Sequence, residues 1–323
     1  MDILGEVLAA QHRIRPYILH TPLMYSHYLS GLCKGRVYLK LENEQHTGSF
    51  KARGSLNKVL SLTADERMQG AITASSGNHG LGFARALEIA NMKGLIVLPR
   101  SASSAKRLAL AAYNNVSTEF IDGDALDAEL YAKRHAKEHD LIWVSPYNDP
   151  HVIGGQGTIG IELAEQLPEI HNVFVTVGGG GLAGGVGTYL KAMSPQTRII
   201  GCLPENSPEM YLWVKSGMYQ TVEPRATLSD GSAGAPEPEA ITYPLCRDLI
   251  DTFCLVPEEA IAHAMRLMVA YHHKIIEGAA AVAVAAFIQN AESFKNQTTV
   301  IIICGGNVAL ETLRGVLCDS LYT

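Results

Sequence analysis

The chain has 323 residues and a formal net charge of −6; 47% of its residues are hydrophobic and 18% are charged. This is the composition of a packed globular protein of two domains or one large domain, which excludes a disordered chain. The basic residues form no runs, and no apolar run is long enough to span a bilayer, so we expect neither a nucleic-acid nor a membrane partner.

The first residues lack the basic and apolar regions of a signal peptide. The six cysteines include no Cys-x-x-Cys pair, which argues against a zinc site or a disulfide framework. We therefore expect a cytoplasmic protein with reduced thiols.

Apolar residues at helical spacing predict an opening helix over residues 2–15, and a strand is predicted over 36–41. From about residue 70, strands and helices alternate. The further predicted strands are 71–74, 95–99, 118–121, 141–144, 173–177, 198–203, 252–256 and 299–304. The further predicted helices are 79–91, 104–114, 124–138, 155–167, 182–193, 208–217, 258–273, 278–292 and 307–317. This alternation predicts an α/β fold with parallel sheets covered by helices on both faces.

Ligands of such folds bind at the sheet edge where the strands end. The segment 221–244 is rich in Pro, Gly and Ser, which predicts a loop over the surface or over the site.

Lys51 follows a Thr-Gly-Ser turn at the start of a predicted helix, with Phe50 as an apolar neighbour. Gly48 and Gly54 allow the backbone to approach another group closely. A lysine placed in this way can keep a lowered pKa and attack a carbonyl cofactor. The motif alone also agrees with a surface lysine in the first turn of an ordinary helix.

A second candidate loop lies between a strand and a helix and has the sequence Ser75-Ser-Gly-Asn-His-Gly80. Backbone N–H groups at the helix start can hold a carboxylate, and Ser75 can cap the helix. An ordinary capping turn is the alternative interpretation.

Four consecutive glycines, Gly178 to Gly181, separate another strand and helix. Bare backbone N–H groups without side chains are suited to a phosphate. Gly179, Gly181 and Gly184 also satisfy Gly-x-Gly-x-x-Gly, with Glu205 as a candidate ribose ligand, so a nicotinamide dehydrogenase is a competing hypothesis. No Walker lysine follows the glycines, which excludes a P-loop ATPase.

The last candidate, Cys304-Gly-Gly-Asn307, ends a predicted buried strand. A thiol here can offer a weak, uncharged hydrogen bond to a ligand. A buried structural cysteine is the alternative.

Together these segments resemble the pyridoxal-phosphate enzymes of fold type II, specifically the serine/threonine dehydratase and serine racemase family. The Lys51 segment is similar to the Schiff-base motif of that family, residues 75–80 to its substrate loop, Gly178–Gly181 to its phosphate loop and Cys304 to its contact with the pyridine nitrogen. Residues 155–159 and 276–279 also match. The similarity covers nearly the whole chain in the same order, and it explains Lys51 and Asn78, which a dehydrogenase does not.

The resemblance implies a tryptophan synthase β-like fold of two three-layer α/β/α domains. The small, mobile domain would span 70–147 and the large cofactor domain 1–69 plus 148–323. The roles it implies begin with Lys51, which would bind the cofactor and take the α-proton, with Ser76 as a second catalytic residue on the opposite face. Phe50 would flank the cofactor ring, and Asn78 would contact its hydroxyl. Gly178, Gly179, Gly180 and Gly181 would hold its phosphate, with Leu182 in the same site. Cys304 would face the ring nitrogen, with Glu277 nearby. Ser75, Ser76, Asn78 and His79 would bind the substrate carboxylate.

The implied activity is the elimination of water from L-threonine or L-serine, which gives a 2-oxo acid and ammonia. A neutral thiol beside the ring nitrogen leaves the ring a weak electron sink, which favours loss of a β-leaving group. Alternatives that stay open are serine racemase, hydroxyaspartate dehydratase, a dehydratase-like enzyme of ectoine breakdown and, more distantly, an NAD-dependent dehydrogenase. The intact Lys51, Ser76 and Asn78 argue against a cofactor-binding relic without activity.

The chain departs from the racemases at two points. Leu203 stands where their first metal-binding acid is expected, with Ser207 and Glu209 downstream, so we expect no metal. Residues 122–129 lack their arginine, which argues against nucleotide regulation. Family members are usually dimers or larger, and we expect a homodimer or homotetramer here.

Overall fold

The computed structural model of the protein describes residues 1–75, 77–100, 102, 104–123 and 125–318. Its strands are β1 (Leu23–Tyr25), β2 (Arg36–Leu41), β3 (Ala71–Ala74), β4 (Gly94–Pro99), β5 (Val116–Ile121), β6 (Ile142–Trp143), β7 (Asn172–Thr176), β8 (Arg198–Pro204), β9 (Thr252–Val256) and β10 (Thr298–Ile303). Its helices are α1 (Ile3–Ile14), α2 (His27–Cys33), α3 (Lys51–Ser61), α4 (Ala64–Gln69), α5 (Asn78–Ile89), α6 (Ser104–Ala111), α7 (Ala125–Glu138), α8 (Pro150–Gln166), α9 (Gly181–Met193), α10 (Glu209–Ser216), α11 (Thr242–Leu249), α12 (Glu258–His272), α13 (Gly278–Gln289) and α14 (Leu310–Cys318).

The larger of two sheets has the strand order β1-β2-β10-β7-β8-β9. All neighbouring pairs are parallel except β1 with β2. Strands β7 and β10 in its middle consist of buried residues only, whereas the edge strands β1 and β9 are partly exposed. A continuous apolar core joins this sheet to the helices around it, which include α9, α12 and α13.

The smaller sheet has the order β5-β4-β3-β6, and all its pairs are parallel. One face packs with α5 around Phe83 and Leu87, and the other packs with α7 around Ala128 and Ala132. The α/β fold with two domains of mostly parallel sheets is thereby confirmed.

Some boundaries differ from the prediction. Helix α8 begins at Pro150, five residues before the predicted start at 155, because Asp149 caps it by accepting from the backbone N–H groups of His151 and Val152. The sequence patterns do not predict β1, α2, α4 or α11. Within the described residues, no helix is both long enough and apolar enough to cross a bilayer.

Residues 218–241, between α10 and α11, form what we call the cover segment. Its only helical turn is a short 3-10 turn at Asp230–Ser232. Gly231 and Ser232 line the cleft described below, so the predicted loop lies over the site.

Candidate active site

The segment before Lys51 is joined to the segment after β10. The backbone N–H of Phe50 donates to the Cys304 carbonyl at 3.0 Å, and that of Gly306 donates to the Gly48 carbonyl at 2.9 Å. Two motifs about 250 residues apart are therefore held side by side. Gly48 has a φ of +72°, and a Cβ there would lie 2.6 Å from the Asn307 side chain, so this turn requires glycine.

Lys51 is the first residue of α3 and points into the space between the two sheets. Its Nζ donates to the Pro146 carbonyl at 2.6 Å and lies 5.3 Å from the centre of the Phe50 ring. Burial lowers the pKa of Lys51 to about 8, although the nearby Cys304 and the acidic side chains oppose the shift. The amine is therefore neutral in a sizeable fraction of molecules near neutral pH, which a nucleophile requires.

Cys304 directly follows β10 and is buried. Burial raises the pKa of its thiol well above the ordinary value, and the nearby Glu277 acts in the same direction. The thiol therefore stays neutral, which agrees with the expectation of an uncharged partner.

Glu277 and Asn78 connect helix α13, which packs on the larger sheet, to helix α5, which packs on the smaller sheet. Glu277 precedes α13 and is buried, and both of its carboxylate oxygens accept from Nδ2 of Asn78, at 2.8 and 2.9 Å. Nδ2 of Asn307 donates to Oδ1 of Asn78 at 2.7 Å and to the Thr47 carbonyl at 2.8 Å. Asn307 therefore fixes which way the Asn78 amide faces, a role that the sequence motif did not reveal.

The glycine loop connects β7 to α9. Gly180 has a φ of +86°, which favours glycine. A Cβ on Gly179 would lie 2.4 Å from Cγ of Tyr147, and one on Gly178 would lie 2.8 Å from the Ser232 carbonyl oxygen. The glycines thus admit Tyr147 and Ser232 close to the loop, while the first N–H groups of α9 remain available to an anion.

These residues line one cleft with about 530 Å³ of empty space. The predicted residues among its lining are Phe50, Lys51, Asn78, Gly178, Gly179, Gly180, Gly181, Leu182, Glu277 and Cys304. The lining residues for which no role was predicted are Pro146, Tyr147, Gln156, Thr176, Gly231, Ser232 and Ala279. The sequence does not identify them because most of them lie far from the four motifs along the chain, although Gln156 lies in one of the segments that match the family.

The structure describes the predicted substrate loop, residues 75–80, only in part. Ser76 lies outside the described residues. Oγ of Ser75 accepts from the Gly77 backbone N–H at 3.2 Å, as in a local turn.

His79 is buried, and its two ring nitrogens lie 3.1 Å from Oγ of Ser55 and 3.1 Å from the Val144 carbonyl oxygen. Because a carbonyl only accepts, Nε2 carries the proton and Nδ1 accepts from Ser55. Burial, together with the charge of Lys51, lowers the pKa of His79 to about 3, so the ring is neutral. A contact from His79 to a carboxylate would therefore use its backbone N–H, near the start of α5.

The region expected to lack a metal contains Leu203, which is buried in β8. Glu209 accepts from Oγ of Ser207 at 2.6 Å. Among the described residues, no three His, Cys, Asp or Glu side chains group together as a metal site would require. The absence of a metal stays a prediction.

A buried ionic cluster lies behind the catalytic helix. Arg53, two residues after Lys51, donates to Glu42 from Nε and Nη2, both at 2.8 Å, and to Glu162 from Nη1 and Nη2, at 2.6 and 3.0 Å. Lys40 donates to the same Glu162 at 2.5 Å. All four charged side chains are almost completely buried, so they tie α3 to β2 and α8 with balanced charge.

One hydrogen-bond donor in the lining of the cleft, on the side chain of Gln156, is available to a ligand. Nε2 of Gln156 is buried and has no hydrogen-bond partner among the described residues, while its Oε1 accepts from the Gly54 backbone N–H at 3.2 Å. A buried donor without a partner is costly unless a ligand or water satisfies it. The amine of Lys51, the glycine loop and the neutral thiol therefore suit a compact ligand with a reactive carbonyl and a phosphate. The fold and the cleft define an enzyme that binds such a cofactor through a lysine.

Comparisons with known proteins identify the family. The family model of pyridoxal-phosphate dependent enzymes matches residues 14–305, and the chain belongs to this family. The L-threonine ammonia-lyase of Thermotoga maritima is 38% identical over 99% of this chain and 79% of its own length. A threonine deaminase structure from Solanum lycopersicum has a TM-score of 0.92 at 33% identity and covers 98% of this chain and 91% of its own. Maize serine racemase has a TM-score of 0.90 at 31% identity, with coverages of 98% and 97%.

The chain is therefore a pyridoxal-phosphate-dependent lyase, as the resemblance implied. The nicotinamide hypothesis for the glycine loop is excluded.

Proposed function

We propose that this enzyme removes water from L-threonine or L-serine by α,β-elimination and yields a 2-oxo acid and ammonia. Relatives named as threonine ammonia-lyase or threonine deaminase support this substrate class. The observation that carries the proposal is the neutral, buried thiol of Cys304 in the same cleft as the amine of Lys51. A neutral partner favours loss of a β-substituent over a long-lived carbanion.

When bound, pyridoxal phosphate withdraws electrons from Cα of the amino acid and so acidifies the α-proton. Lys51 would hold the cofactor through its amine, and the glycine loop with the start of α9 would hold the phosphate. Cys304 would meet the ring nitrogen, and Phe50 would lie along the ring. The assignments of Leu182, Glu277 and Gln156 to the same cofactor site rest on their place in the cleft lining.

The proton steps fall to the side chains of this chain. The amine of Lys51 would take the α-proton of the bound substrate, and its lowered pKa makes it a base near neutral pH. Asn78, fixed by Asn307 and Glu277, would orient the bound groups. The start of α5, with Ser75, Ser76 and His79, would receive the substrate carboxylate.

The small domain would comprise residues 70–147 and the large domain the rest, with the small domain closing over the substrate to exclude water. We further propose a homodimer or homotetramer in the cytoplasm, without a metal requirement.

The test uses the purified holoenzyme with L-threonine, L-serine and β-hydroxyaspartate. We expect 2-oxo acid to accumulate with one of them, together with a change in the visible absorption of the bound cofactor. Lys51→Ala should lose both signals. Accumulation of the D-amino acid without 2-oxo acid would instead assign a racemase. Turnover retained in Lys51→Ala would refute the scheme.

A further inference from the structure

The Glu237 side chain of the cover segment contacts helix α7, which packs on the smaller sheet. The Glu237 carboxylate pairs with the ammonium of Lys133 in α7 and accepts from Nδ2 of Asn148 at 3.3 Å. The backbone N–H of Glu237 donates to the hydroxyl of Tyr147 at 2.8 Å. Tyr147 in turn lies against Gly179 in the wall of the cleft. Glu237 therefore connects α7, the cover segment and the glycine loop.

A second carboxyl group meets Glu237 from α7. Glu129 lies one helical turn before Lys133, so the two side chains share a face of α7. The side chains of Glu129 and Glu237 are within hydrogen-bonding distance of each other. Oε1 of each is buried and has no donor among the described residues. Two carboxyl groups form a hydrogen bond only if one of them holds a proton.

The charges around the pair favour one proton. Burial and the neighbouring Glu237 raise the pKa of Glu129 to about 7, although Lys133 on α7 and Lys51 on α3 oppose the shift. Burial and the same two carboxyl groups raise the pKa of Tyr147, so its hydroxyl stays neutral in this range. One proton is therefore shared by two carboxyl groups while Lys133 neutralises the remaining charge.

We propose that Glu129 and Glu237 share a proton when the enzyme is closed and that this carboxyl pair holds the cover segment against α7. The two are positioning residues: they act through Tyr147, which they keep over the glycine loop, and not on the substrate itself. Domain closure would then depend on the protonation of a group on α7 that does not itself take part in the reaction.

The direction of the pH dependence follows from linkage. In an open form that exposed Glu129 to water, its pKa would return toward 4.5, below the value of about 7 in this structure. Closure is strongest below the lower pKa, weakens through the interval and is weakest above about pH 7. The total change is at most about 300-fold, the ratio that corresponds to the two pKa values.

The test is hydrogen exchange of the amides of Glu237 and Ile241, which bond to Tyr147 and to Oδ1 of Asn148. Exchange is measured on the holoenzyme at pH 6 and pH 8.5 and corrected for the chemical exchange rate. We expect the protection factors of the wild type to fall about tenfold over this range. Glu129→Gln carries a permanent donor to Glu237, so its protection should not change with pH.

Glu138→Gln, an exposed change on the same helix, is the matched control and should behave as the wild type. If Glu129→Gln does not fold, Glu237→Gln provides the amide from the other side of the pair. Protection that is independent of pH in the wild type, or that falls equally in Glu129→Gln, would overturn the inference.

A kinetic measurement on the same proteins rests on the proposed function. The ratio of kcat/KM of Glu129→Gln to that of the wild type should rise about threefold or more between pH 6 and pH 8.5, because only the wild type loses closure as Glu129 deprotonates. Exchange needs no turnover. A failure of the dehydratase assignment would therefore leave the exchange result standing, while a failure of the carboxyl pair would appear in the exchange alone.

Discussion

Replacing Glu162 with Gln should destabilise the protein, because it removes one negative charge from the buried ionic cluster while the side chain keeps its shape. The carboxylate of Glu162 accepts from Lys40 and Arg53, and all three side chains are almost completely buried. An amide in its place leaves two buried cations with the single anion Glu42. Removal of one partner of a buried ion pair costs about 3–5 kcal/mol, because the other charges stay buried without compensation.

The expected signal is a lower melting temperature of the holoenzyme. At roughly 2–4 °C per kcal/mol for a chain of this size, Tm should fall by about 6–20 °C. Circular dichroism at one fixed scan rate measures it. Glu165→Gln, an exposed acid on the same helix α8, is the control and should shift the free energy of unfolding by about 1 kcal/mol or less.

A second variant separates lost charge pairing from lost packing. Lys40→Met with Glu162→Leu removes one cation and one anion, so Arg53 and Glu42 remain paired, and most of the lost stability should return. An unchanged Tm in Glu162→Gln would refute the reasoning, as would a double variant that melts below the single one.

The cluster also predicts an acid limit. Burial raises the pKa of Glu162, but Arg53 and Lys40 outweigh it and hold the pKa below its ordinary value. Its contribution to stability is therefore present above about pH 4.5 and is lost as the pH falls through the folded-state pKa. Acid titration of Tm should show a smaller drop in Glu162→Gln than in the wild type.

Three further predictions concern the cleft. The apoenzyme should capture pyridoxal phosphate with a rate that is half-maximal near pH 8, because only the neutral amine of Lys51 attacks and its pKa is about 8; a rate that keeps rising to pH 10 would contradict this. Asn307→Asp removes the donor to Asn78 and adds a negative charge near Glu277, so kcat should fall about tenfold or more. The control, Asn290→Asp at the far end of α13, should have little effect on kcat. Gly179→Ala places a Cβ against the Tyr147 ring and should weaken cofactor binding about tenfold or more by equilibrium titration, while Gly31→Ala, which meets no atom within 4 Å, should bind normally.

The sequence predicts best what depends on neighbours along the chain. Strands β2, β3 and β9 lie where periodicity places them, and the glycine loop lies between a strand and a helix as its composition indicates. The predicted start of α8 lies too late in the chain because glycines at 154, 155 and 157 weaken the helical pattern, although Asp149 and Pro150 carry a capping signal. Strand β1 has three residues and forms only because β2 offers a partner.

In the site, too, the residues predicted from the sequence are those that local motifs mark, and the others depend on tertiary packing. Motifs in the sequence identify Lys51 and Cys304, since each follows a turn or strand with a recognisable composition. Tyr147 and Ser232 come from segments without such a signal, and only tertiary packing brings them against the glycines. The orientation of the His79 ring is likewise decided by Ser55 and Val144, which local sequence does not reveal.

The strand order has a consequence for synthesis on the ribosome. Strand β10 lies between β2 and β7, so the larger sheet stays divided until the chain has been made past residue 303. Until then β2 and β7 each present an open, apolar edge that invites pairing with other chains. The backbone hydrogen bonds that hold the Lys51 segment beside Cys304 also form only after this strand has been made. The nascent chain would therefore need protection from aggregation until residue 303 has been made, and it would bind its cofactor only after that point.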